Sequence, residues 1–159
     1  MMRKTLLLLA MAAGSSLASP AQALCVLCTC SASTTGLAFG PYDPSSPGPR
    51  DANATVTINC SGVAALLGNI EVALSPGGVS SIPLRRMVQG SEQLVYNIYS
   101  DATYTALWGD GSGGTAGVSL PFNGLLSYTA TVTAYGRIPT HQYVKPGPYT
   151  DTVTVTVTY

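Results

Sequence analysis

Residues Tyr149–Tyr159 read Y-T-D-T-V-T-V-T-V-T-Y. Odd positions carry Tyr149, Val153, Val155, Val157 and Tyr159, with Asp151 as the single departure, and every even position is threonine. Side chains of a strand alternate between two faces, so this stretch predicts one half-buried strand with an apolar inner face. Val, Thr and Tyr also suit a pleated surface. Pro146, Gly147 and Pro148 punctuate its start. The stretch closes the sequence, so its neighbours are expected among strands formed earlier. A missing neighbour would leave an edge that another chain can fill.

Working back from there, Leu125–Ile138 predicts a long strand with Tyr128, Ala130, Val132 and Ala134 inward. Asn53–Cys60 alternates cleanly, with Ala54, Val56, Ile58 and Cys60 inward, and Asn69–Ser75 does the same with Ile70, Val72 and Leu74. Thr34–Phe39 and Leu84–Val88 predict short strands, the second carrying Arg85 and Arg86. Glu92–Ser100 is apolar on both faces and is expected near the centre of a sandwich. Tyr42–Asp51 holds three prolines and reads as a loop, and Trp108–Gly114 reads as a glycine-rich loop. No segment has a helical period. Short strands cut by Gly and Pro predict an all-β antiparallel sandwich.

Met1–Ala23 has the pattern of a secretory leader: Arg3 and Lys4, then an apolar run, then Ala21-Gln22-Ala23. Cleavage after Ala18 is the other option. Residues 24–159 are then expected to form one domain. Five basic residues remain there against seven acidic ones, a net charge of −2. That balance argues against nucleic acid or an anionic membrane as partner, and no later stretch is apolar enough to span a bilayer.

Four cysteines follow the leader: Cys25, Cys28, Cys30 and Cys60. In an oxidising compartment an even count reads as disulfides, with three possible pairings. Cys30–Cys60 with Cys25–Cys28 is the favoured one, because Cys60 ends a good strand pattern and tying the amino end to it constrains about 30 residues. A zinc site of all four thiolates is disfavoured by the compartment.

Catalytic, metal and cofactor readings find little support, and none is expected. His141 has no sequence-visible nucleophile partner. Asp43, Asp51, Glu71, Glu92, Asp101, Asp110 and Asp151 are scattered singly. The Trp108–Gly114 loop offers only Asp110 and Ser112 as oxygen side chains for a cation, and its glycines are expected to serve backbone turning. Tyr42, Tyr99, Tyr104, Trp108, Tyr135 and Tyr143 read either as a sugar- or surface-binding patch or as sandwich packing.

Several pieces together resemble the spore coat protein U domain family, which includes subunits of archaic chaperone–usher pili. They are Cys30 with Phe39-Gly40-Pro41-Tyr42-Asp43-Pro44; Val56-Thr57-Ile58-Asn59-Cys60; Val72-Ala73-Leu74-Ser75; Arg86-Met87; Leu94-Val95-Tyr96-Asn97-Ile98-Tyr99; Trp108-Gly109-Asp110-Gly111; Tyr135-Gly136-Arg137-Ile138-Pro139; and Gly147-Pro148-Tyr149 onward to Tyr159. The resemblance implies an incomplete immunoglobulin-like sandwich that lacks one strand. A periplasmic chaperone lends that strand first, and a neighbouring subunit replaces it after export through an outer-membrane usher. It also implies a groove for the partner strand, at Val153, Val155, Val157, Tyr159, Val56 and Ile58. Only Leu24–Thr29 precede Cys30 after cleavage, short for a donated strand. The expectation is therefore a surface-exported adhesive subunit that accepts a strand but donates poorly, at a tip or minor position. A self-complete secreted coat or surface protein is the alternative, and a secreted carbohydrate-binding module a third.

Overall fold

The computed structural model describes residues 28–62, 68–78, 81–122 and 127–159. The expected leader, and Cys25 with its expected bond to Cys28, lie outside these residues. Eight strands follow in order: β1 (Cys28–Thr34), β2 (Arg50–Gly62), β3 (Gly68–Leu74), β4 (Arg85–Gln89), β5 (Glu92–Tyr99), β6 (Val118–Phe122), β7 (Ser127–Ile138) and β8 (Val155–Thr158). They form an immunoglobulin-like sandwich of two antiparallel sheets, one ordered β1-β2-β7-β5-β4 and the other β6-β3-β8.

Alternation sets the core. Val56, Ile58, Ile70, Val72, Leu74, Leu94, Ile98 and Ala134 are all buried between the sheets. Each fully buried Val or Ile contributes about 1.5–3 kcal/mol by leaving water. The spine is the β2–β7 ladder, in register from Arg50↔Ile138 to Ser61↔Ser127. Cys30 and Cys60 stand directly opposite each other in the β1–β2 pair and are joined by a disulfide.

Trp108 closes one end of the sandwich. Its ring is fully buried, and its Nε1 donates to the Val72 carbonyl at 2.8 Å. Its backbone N–H donates to Ile98 in the large sheet, while the Gly109 carbonyl accepts from Leu74 in the small one. Trp108 is thus a core residue and takes no part in any surface patch. The glycines that follow it do turn the backbone, with φ of 90°, 58° and 80° at Gly111, Gly113 and Gly114.

Three expectations are corrected. Tyr149–Tyr159 is not one strand: only Val155–Thr158 pairs as β8, while residues 149–154 cross from one sheet to the other. The cause is Asp151, whose carboxylate draws the chain inward, as described below. The strand expected at Thr34–Phe39 instead occupies Cys28–Thr34. Beyond it, Leu37 and Phe39 fold onto the sheet over Gly136, where an added Cβ would lie 2.6 Å from Leu37. β6 has no counterpart in the sequence reading, because Pro121 interrupts a pattern of only five residues.

Candidate functional site: a cleft between two open strand edges

Each sheet has two edges. On β4, Val88 exchanges backbone hydrogen bonds with Thr150 at 2.8 and 3.2 Å, so that edge is partly covered. On β6, Pro121 has no N–H to offer a new strand. Among the described residues, the edges of β1 and β8 remain. They lie side by side, with Cα atoms within 8 Å, yet belong to different sheets.

The open edge of β8 is specific about which groups it presents. Thr154 turns its N–H toward the Ser75 hydroxyl and its carbonyl toward the Ser75 N–H, both at 2.9 Å. Backbone groups alternate sides along a strand. The N–H and carbonyl groups of Val153, Val155 and Val157 therefore face away from β3.

Beside that edge lies a cavity of about 310 Å³. Its walls are Thr34–Leu37 on one side and Tyr149, Thr150, Asp151, Val153 and Val155 on the other. Its floor is the hydrophobic core itself: Ala54, Val56, Leu74, Tyr96, Ile98 and Ala134. A second cavity of about 530 Å³ adjoins it, sharing Leu37, Phe39, Met87 and Tyr149. This one runs between Ala38–Pro44 and Val144–Pro148.

Of the residues expected in a partner-strand groove, Val153, Val155 and Val56 line the first cavity. Val157 is half-buried on β8. Ile58 lies fully buried in the core below, and Tyr159, 40% exposed, follows the last strand residue.

One polar group interrupts this apolar cleft. The Asp151 Oδ1 accepts from the N–H groups of Gly78 and Thr152, both at 2.8 Å, and its Oδ2 accepts from the Tyr96 hydroxyl at 2.8 Å. Gly77, at φ 100°, lies too close to the Asp151 carboxylate for any Cβ. Burial, then the Asp151 hydrogen bond, pushes the Tyr96 hydroxyl well above its ordinary value. Arg85 is fully buried nearby and donates to the carbonyls of Leu74, Ser75 and Trp108. Its burial lowers its affinity for the proton. The sequence placed Arg85 on a short strand but held no sign that this arginine points inward.

The candidate aromatic patch divides. Tyr99, Tyr104 and Tyr135 meet edge to face, and the Arg137 guanidinium lies 3.5 Å from the Tyr104 ring centre. Arg137 also makes a paired contact with Asp51 at 2.7 and 2.8 Å. Tyr104 sits at φ 57°, in a loop held by the Asp101 carboxylate, which accepts from Thr105 and Ala106. Tyr42 is elsewhere, bonded to Pro139 and Gln142, and Tyr143 stands 74% exposed. His141 is exposed and contacts Thr140. Asp43, Asp51, Glu92, Asp101, Asp110 and Asp151 each have their own local partner. Among the described residues, no group of three His, Cys, Asp or Glu gathers around a common point.

Residues 16–156 match the Spore Coat Protein U domain family. A Myxococcus xanthus protein named Protein U is 33% identical over 132 residues, spanning 77% of this chain and 71% of the relative. Among solved structures, the fold is similar to a chain in the CsuC–CsuE chaperone–tip adhesion subunit pre-assembly complex from archaic chaperone-usher Csu pili of Acinetobacter baumannii. The TM-score is 0.58 at 20% identity. The match covers 84% of this chain and 40% of that one, and it is a likeness of fold.

Proposed function

The chain belongs to the Spore Coat Protein U domain family, and on that premise we propose that it is a pilus-type structural subunit whose cleft accepts a strand from another chain. The observation that carries this reading is the cleft between residues 34–37, at the end of β1, and 149–155, at the start of β8, whose floor is the hydrophobic core. A strand laid there would bond its backbone to the outward groups of Val153, Val155 and Val157. Its alternate side chains would cover the floor. The donor would be a periplasmic chaperone first and a neighbouring subunit afterwards, with export through an outer-membrane usher to an adhesive surface fibre. A tip or minor position belongs to the same proposal. The solved relative, described as a chaperone–tip adhesion subunit complex, lends support by its fold.

Secretion of the full chain into the periplasm, with and without a candidate periplasmic chaperone, tests this reading. The expected result on size exclusion is a soluble one-to-one complex with the chaperone and aggregated chain without it. A stable monomer in the absence of chaperone would overturn the proposal and favour a self-complete coat protein.

A further inference from the structure

The cleft is apolar except at Asp151, and the sequence pattern makes that exception conspicuous. Every other odd position from Tyr149 to Tyr159 is Val or Tyr. Asp151 lines the first cavity, where Val153 and Val155 also contribute to the wall. A carboxylate offers about four acceptor positions. Three are occupied here, two on Oδ1 by Gly78 and Thr152 and one on Oδ2 by Tyr96. The nearby cation does not take the fourth: Arg85 directs Nε and Nη2 at the backbone carbonyls of Leu74, Ser75 and Trp108. Asp151 itself is half-buried and lines the cavity.

Filling the cleft changes that balance. A strand that placed a methyl group over Asp151 would strip water from a carboxylate oxygen and return nothing, which is unfavourable. A side chain with an O–H or N–H at that place replaces the lost water with a charge-assisted bond. We propose that Asp151 selects the strand this cleft accepts: the side chain lying over its carboxylate is a hydrogen-bond donor, set within an otherwise apolar alternating segment. The proposal rests on the strand-accepting reading above, and it adds a residue-level rule that the reading alone does not contain.

Synthetic peptides test it against the full chain held in its soluble chaperone complex, by competition with the chaperone's strand. Each is fluorescein-labelled, of about twelve residues, long enough to run through both cavities at about 3.3 Å per residue. Val occupies alternate positions, and the position facing Asp151 is varied among Val, Thr, Asn and Asp. Thr and Val have the same shape and differ in hydrogen bonding, while Asn and Asp have the same shape and differ in both hydrogen bonding and charge. Anisotropy titrations are expected to show Thr binding about tenfold more tightly than Val, and Asn above Asp by at least as much. In Asp151→Asn the carboxamide oxygen keeps Gly78 and Thr152 while its nitrogen replaces Oδ2. The Asp peptide should then gain and the Asn peptide lose.

Equal binding of Val and Thr to the wild-type chain, with no reordering in Asp151→Asn, would overturn the selection rule while leaving strand acceptance standing. Failure of every peptide to bind would remove the strand-accepting reading and the rule together. The comparison among peptides on the wild-type chain stands on its own if the variant does not fold.

Discussion

β7 and β8 both alternate threonine with apolar residues, yet they end in opposite circumstances. β7 lies between β2 and β5, registered to β2 over its whole length. β8 pairs with β3 alone, over Val155–Thr158, and its outer side borders a cavity open to the core. Alternating composition therefore specifies a strand with one apolar face, but not how many neighbours it has. The neighbours depend on what the rest of the chain supplies: among the described residues, β7 has two flanking strands and β8 has one.

The strongest way to break this contrast is to damage the closed side. Trp108→Ala removes a fully buried ring and its bond to Val72, and is expected to cost about 3–5 kcal/mol. Urea unfolding of the strand-filled protein should show the loss. A change below about 1 kcal/mol would mean that the sandwich end is not sealed by this residue.

Val155→Asp acts on the open side, at a half-buried residue lining the cleft. Its cost to the fold alone is expected to be about 1 kcal/mol. Its effect on strand binding should be far larger, about a hundredfold in Kd, because a charge would face the incoming apolar side chains. Parallel measurements of unfolding and of chaperone-strand affinity separate the two. Equal losses in both would erase the distinction between β7 and β8.

The smallest effect belongs to the outer face of the large sheet, where Arg137 pairs with Asp51. The Arg137 hydrogen bond holds the Asp51 carboxyl below its ordinary 3.8. With the folded value depressed, the pair's contribution is complete above the unfolded pKa and is lost as pH falls through the folded one. Both side chains are partly exposed, at 31% and 36%, so solvent screening keeps the contribution to about 0.5 kcal/mol. Asp51→Asn should flatten the stability profile below about pH 4 and lower stability slightly at neutral pH. An unchanged acid slope would show that the pair is energetically silent.

Much of the sandwich was legible from period-two alternation alone. Ala54, Val56, Ile58 and Cys60 were expected inward, and all four are buried. The same holds for Ile70, Val72 and Leu74. The pattern failed where polar side chains override it. Asp151 looked like a single lapse in a long strand. In the structure its bonds to Tyr96 and Gly78 divide that strand, leaving residues 149–154 to cross between sheets. Arg85 failed in the opposite sense: a charge normally marks an outward position, yet this one donates from Nε and Nη2 to carbonyls from two separate parts of the chain, residues 74–75 and Trp108, while its buried Nη1 has no hydrogen-bond partner among the described residues. No local pattern contains those partners. Trp108 was ambiguous for a similar reason, since a ring in a glycine-rich loop reads equally as a surface contact or a plug.

The disulfide between Cys30 and Cys60 has a mechanical consequence. β1, whose last residue Thr34 begins one wall of the cleft, is covalently fastened to β2, which is bound along its length to β7. β8, the other wall, has only its short ladder to β3 and no covalent tie among the described residues. A strand seated between them and pulled along its axis would load the two walls unequally. The β1 side would pass tension through a chemical bond into the widest part of the sheet. The β8 side would carry it in shear across a few hydrogen bonds, so rupture under force would begin there.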